Sequence, residues 1–103
     1  MITVNGEGWE VYLVPPSHPR LTTPEGTQAL GCCDDIRKTI YINDTLHPTK
    51  MRKVLCHELT HAAMYSYNIE IPDPEEEVLA ELISNYGDEI VSLTNKIASK
   101  LKL

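Results

Sequence analysis

The 103-residue sequence has no phenylalanine and one tryptophan, so Trp9 and five tyrosines are its only large rings besides histidine, and several of them must fill the core. Cysteine is equally sparse. Three residues make an odd count, and the adjacent pair Cys32 and Cys33 suits an ordinary disulfide framework poorly, which points to reduced thiols and a cytoplasmic protein. No apolar run approaches the roughly 18 residues of a membrane span, and the opening MITVNGEGWEVYLV lacks the basic and apolar regions of a signal peptide. A membrane partner and export are therefore not expected. Basic charge is also thin: nine Lys and Arg stand against fifteen Asp and Glu, scattered along a chain of net charge -6. A nucleic-acid partner is excluded on that footing, leaving proteins, peptides or small solutes. No repeat, low-complexity tract or interdomain linker interrupts the chain, so residues 1–103 read as a single domain with one modest core.

The first half carries short β-branched runs punctuated by Gly and Pro. Ile2 to Val4, Trp9 to Val14, Thr27 to Cys32 and Thr39 to Ile42 read as strands. Pro15 to Gly26 reads as a loop, because three prolines within Pro15 to Pro19 remove donors and fix the backbone. ALGCC and TIYIN, separated by a polar link, are expected to pair as a hairpin, with Tyr41 facing away from Ile40 and Ile42. The second half is helical. A helix from Pro48 to about Tyr67 has proline at its first position and apolar residues at helical spacing, and Asn68 with Ile71-Pro72 ends it. Asp73-Pro74-Glu75-Glu76 then offers a capping box with Asp73 as N-cap. From there Leu79, Leu82, Ile83, Tyr86, Ile90, Leu93, Ile97 and Leu101 form an apolar stripe, weakened or broken at Gly87, and Lys96, Lys100 and Lys102 suit the negative end of the helix dipole.

The chemistry is concentrated in Cys56-His57-Glu58-Leu59-Thr60-His61, an H-E-x-x-H motif. Residues four apart on a helix are offset by about 40° and 6 Å, so His57 and His61 project from one face toward a common ion. Glu58, about 100° around, is placed to reach a water on that ion rather than the ion itself, which is the position of a general base. Catalytic zinc takes three protein ligands and one water, so a third ligand is required. His18, His47 and the cysteines are available, but Glu77 at the head of the second helix is favoured, with Glu76 or Glu81 next. With Glu77 as ligand, Glu81 is placed to accept a hydrogen bond from the free ring nitrogen of a metal-bound histidine. Ala80 between them permits close approach of the two helices. Cys56 points away from the motif face as a small hydrophobe, and Cys32 and Cys33 pack on opposite faces of their strand.

HELTH followed sixteen residues later by E-x-x-A-E resembles the small gluzincin-type metallopeptidases, notably the compact phage-associated and ImmA/IrrE-like proteins. The resemblance spans roughly Gly31 to Asp88. It implies an α+β, zincin-like fold in which a small mixed or antiparallel sheet packs on the H-E-x-x-H helix and a C-terminal glutamate-bearing helix, with Zn²⁺ as cofactor. It also implies a rim strand, Thr27 to Cys32, that holds a protein or peptide substrate in extended form. The expected activity is peptide-bond hydrolysis by a zinc-activated water with Glu58 as base, and Tyr65, Tyr67, Tyr86 and His47 are candidates for stabilising the oxyanion. Two alternatives stand beside it: a catalytically silent zinc-binding interaction module of a phage or mobile-element operon, and a latent peptidase masked by residues 15 to 26 or by the tail.

Overall fold

The computed structural model describes residues 1–103 as a four-stranded mixed sheet with two helices, an α+β arrangement. β1 (Ile2–Val4) and β2 (Glu7–Val14) form an antiparallel hairpin. Asn5 and Gly6 both have positive φ, as a two-residue turn matched to strand twist requires. β3 (Gly31–Asp34) and β4 (Thr39–Asn43) form the expected second hairpin. β4 inserts beside β2 in parallel, giving the order β1-β2-β4-β3 and leaving β3 as a free edge. Ile40 and Ile42 are buried on the inner face, while Tyr41 lies on the outer face against Tyr12 and stacks on His18 at 5.1 Å.

The strand expected at Thr27 to Cys32 is displaced. Thr23 N–H donates to Thr27 O, Thr27 N–H to Thr23 Oγ1 and Ala29 N–H to Leu21 O, so residues 21–29 close on themselves around the Pro24-Glu25-Gly26 turn. The ladder with β4 therefore begins only near Gly31 and runs on to Asp34. Nor is the proline-rich stretch wholly irregular, since Pro19–Leu21 forms a 3-10 turn that buries Leu21 completely.

α1 (Pro48–Ser66) lies across the inner face of the sheet, with Val54 and Ala62 joining Trp9, Ile40 and Ile42 in the core. Pro48 opens the helix behind His47, whose Nδ1 accepts a hydrogen bond from Thr49 N–H. At the other end, Trp9 Nε1–H donates to Ser66 Oγ at 2.9 Å, and Asn5 Nδ2–H to Ser66 O. α2 (Asp73–Leu101) is one continuous 29-residue helix, uninterrupted by Gly87. Its N-cap is Pro72 rather than Asp73: Pro72 already has the extended conformation of an entry residue, and no side chain caps the helix. Asp73 instead joins Glu75 and Glu76 in the first turn, where the dipole favours negative charge.

α2 presents a different face from the one its apolar stripe suggests. Ala80 is its only buried residue and Ser84 is half-buried, so the small-residue face meets α1, while Tyr86, Ile90, Leu93, Ile97 and Leu101 stay exposed. Two charged groups, Arg52 and Asp88, close the contact near the start of α1. No helix is long and apolar enough to cross a membrane.

Candidate metal centre

His57 and His61 stand one turn apart on α1, facing the first turns of α2. Their Nε2 atoms approach to 3.3 Å. Glu77 brings one carboxylate oxygen to 3.1 Å from His57 Nε2 and the other to 2.8 Å from His61 Nε2. One donor atom from each of the three residues lies within 4.8 Å of the others. Behind this group each ring is held by a second carboxylate: His57 Nδ1 lies 2.8 Å from Glu81 Oε1, and His61 Nδ1 lies 2.5 Å from Glu76 Oε2.

A carboxylate only accepts, so in the arrangement that binds a metal each Nδ1 carries the hydrogen and donates it backward, and the neutral ring offers its Nε2 lone pair. Two such lone pairs face the Glu77 carboxylate. Lone pairs of like polarity at this distance repel unless protons or a cation lie among them, and carboxylates behind both rings make each imidazole a stronger donor toward a cation. On a tetrahedral zinc with Zn–N near 2.05 Å, two ring nitrogens stand roughly 3.3 Å apart, which matches the observed separation. The donor set is thus compatible with a divalent metal. Its composition does not distinguish zinc from other ions that favour imidazole and carboxylate.

Glu58 points elsewhere. It is 8% exposed, and burial pushes its carboxyl above the usual range, with His57 and His61 pulling it down and Glu77 pushing it further up. It lines two hollows on either side of the centre. One, of about 550 Å³, also includes Cys33, His61, Tyr65 and Glu77; the other, of about 220 Å³, includes Gly31, Lys50, Lys53 and His57. β3 contributes to both, through Cys33 to the first and Gly31 to the second. A Cβ on Gly31 would stand 2.7 Å from Val54 Cγ1 and 3.2 Å from Glu58 Oε2, so only a glycine lets the strand come this close to the helix. Asn43 N–H donates to Leu30 O, and the antiparallel alternation from that pair leaves the N–H and C=O groups of Gly31 and Cys33 directed away from β4, along the free edge.

Among the oxyanion candidates, Tyr65 alone lines the larger hollow, half-exposed, with its ring edge-on to Trp9 and the Lys38 ammonium 5.5 Å from its centroid. Tyr67 caps the end of α1, Tyr86 lies exposed on α2, and His47 caps the start of α1; none of the three lines either hollow. His18 is held in its own turn by Arg20 N–H. Burial, followed by the Glu58 charge, pushes the Cys33 thiol up to about 12, so the free side chain is a neutral thiol at neutral pH. Sequence reasoning missed Glu76 as the acceptor for His61. Two paired histidines need two outer acceptors, and that count was the available signal.

The family model described as the IrrE N-terminal-like domain, Peptidase M78, matches residues 17–101, which takes in both helices and the β3–β4 hairpin. Neither a curated protein nor a solved structure gives a match.

Proposed function

This chain belongs to the IrrE N-terminal-like domain (Peptidase M78) family, and from that premise we propose that it is a metal-dependent peptidase, with zinc as the ion and a protein or peptide as substrate. The observation that carries the reading is the position of Glu58: a buried carboxylate outside the His57, His61 and Glu77 donor group but beside it, opening on two hollows under a free strand edge. A purely structural metal has no use for such a group and takes a fourth protein ligand instead.

The ion, when bound, supplies Lewis acidity toward a carbonyl and lowers the pKa of a water toward 7. The protein's own residues do the rest. The outward N–H and C=O groups of Gly31 and Cys33 hold a substrate backbone in extended form, whatever its side chains. Glu58, poised as a base by its dry surroundings, takes the proton from the attacking water and returns it to the leaving amine. Tyr65 is the hydroxyl best placed to donate to the developing oxyanion from the larger hollow. Glu76 and Glu81 fix the tautomer of the two histidines throughout.

Glu58→Gln tests this directly. The variant is expected to take up metal like the parent and to lose cleavage of an unfolded protein substrate by roughly 10²-fold or more, the usual contribution of a general base. Equal cleavage by parent and variant would remove Glu58 from the mechanism.

A further inference from the structure

Beyond Ile83 the apolar stripe of α2 has no partner within the chain. α1 runs antiparallel to α2, and Arg52 near its start meets Asp88, so the last three turns of α2 extend past the start of α1. Every residue from Asp88 to Ile97 is exposed. Ile90 at 52%, Leu93 at 50% and Ile97 at 54% are the apolar centre of this overhang. A protruding helix of about a dozen residues is marginal in water without tertiary contact, so something must stabilise it.

The spacing specifies what. Ile83, Ile90 and Ile97 recur every seven residues, and Tyr86 and Leu93 fall three residues after the first two, so the stripe is a heptad seam with isoleucine at position a. Such a seam is complementary to another of its own kind. The flanking charges then choose the direction. In a parallel pair, Glu89 would face Thr94 of the other helix and Lys96 would face Leu101, giving no ion pair. In an antiparallel pair with its two-fold axis between Val91 and Ser92, Ile90 meets Leu93, Tyr86 meets Ile97, and Glu89 faces Lys96, each twice by symmetry. The same register brings the last turn of one copy, with Leu101, level with Ile83 of the other. There an open groove between α1 and α2 is lined by Leu55, Leu59 and Ile83.

We propose that the chain self-associates through the overhang of α2 as an antiparallel, two-fold symmetric helix pair, with Ile90, Leu93 and Ile97 at its centre and Glu89 paired with Lys96 across the axis. Glu77 and Glu81 lie on the side of α2 away from the seam, and Glu76, one heptad before Ile83, lies beyond the stretch this register pairs, so both metal centres stay open in the dimer.

Light scattering and sedimentation of the full chain at tens of micromolar are expected to give twice the 11.6 kDa mass of one chain. Ile90→Asp with Leu93→Asp should give the single-chain mass while metal uptake at the distant centre is retained, showing that the domain is folded. Glu89→Lys should weaken the dimer at least tenfold, and Glu89→Lys with Lys96→Glu should restore it. A parent that stays at the single-chain mass up to hundreds of micromolar would overturn the proposal. So would a dimer whose mass is insensitive to the charge reversals, since only antiparallel pairing sets Glu89 against Lys96.

Discussion

Gly31→Ala should be a costly single methyl. The added carbon would sit 2.7 Å from Val54 Cγ1 and 3.0 Å from Glu58 Cγ, against a carbon–carbon contact distance of roughly 3.5–4.0 Å, so about 1 Å of space is missing. Val54 cannot supply it by turning, because a β-branched side chain in a helix has essentially one χ1 rotamer. Glu58 is buried one turn further on, so the relief must come from moving β3 off α1. Overpacking of this kind costs on the order of 2 kcal/mol, which for a domain of this size lowers Tm by roughly 8–16 °C. Thermal unfolding followed by circular dichroism measures it. Val54→Ala alone should cost about 2 kcal/mol through its lost methyls. Because that change also empties the space the new methyl needs, the double variant should be at least 1 kcal/mol more stable than the two single losses predict. A Gly31→Ala protein with the parental Tm, or a strictly additive double variant, would refute the close approach of β3 to Glu58.

Glu76→Gln and Glu81→Gln should each weaken metal binding by roughly 10–100-fold in competition with a chromophoric chelator, while Glu77→Ala should reduce it further; an unchanged affinity in Glu76→Gln would deny its hold on His61. Ser66→Ala leaves the buried Trp9 N–H without an acceptor and should cost about 1–3 kcal/mol in urea unfolding, whereas a loss near zero would mean that the indole finds another partner. Asp34 accepts a backbone hydrogen bond from Arg37, and with the Arg37 and Arg20 guanidiniums this holds its carboxyl below the usual 3.8. A depressed carboxylate stabilises the fold above its unfolded pKa and loses that contribution as pH falls through the folded value. Asp34→Asn should therefore be less stable than the parent from pH 7 down to about 5, with the gap closing below about 4; a gap independent of pH would mean that the charge is irrelevant.

The features legible in the sequence were those written in consecutive residues. HELTH placed His57, Glu58 and His61 on one helix, Pro48 marked its start, and alternation in TIYIN gave β4 its buried face. What escaped depended on residues far apart. The parallel pairing of β2 with β4 joins strands separated by a proline-rich excursion, and no local pattern announces it. β3 begins late because Thr23 and Thr27 bond to each other, a local hydrogen bond that the apolar spacing of Thr27 to Cys32 does not reveal. The apolar stripe of α2 showed that a surface needs covering, but periodicity does not say whether the cover lies in the same chain. Glu76 was hidden because a glutamate in a first turn already has a reason to be there.

Only Ala80 anchors α2 by burial, whereas α1 is fastened to the sheet through Val54, Ala62 and the Ser66 ties to Trp9 and Asn5. The two halves of the centre thus belong to pieces of unequal stiffness: the histidines to a rigid body, the carboxylates to a helix held mainly at its head. In such a device, seating of the helix and capture of a cation are a single coupled equilibrium, each strengthened by the same free energy that strengthens the other. Enlarging Ala80, which touches no metal ligand by charge or hydrogen bond, would then act as a change in cation affinity.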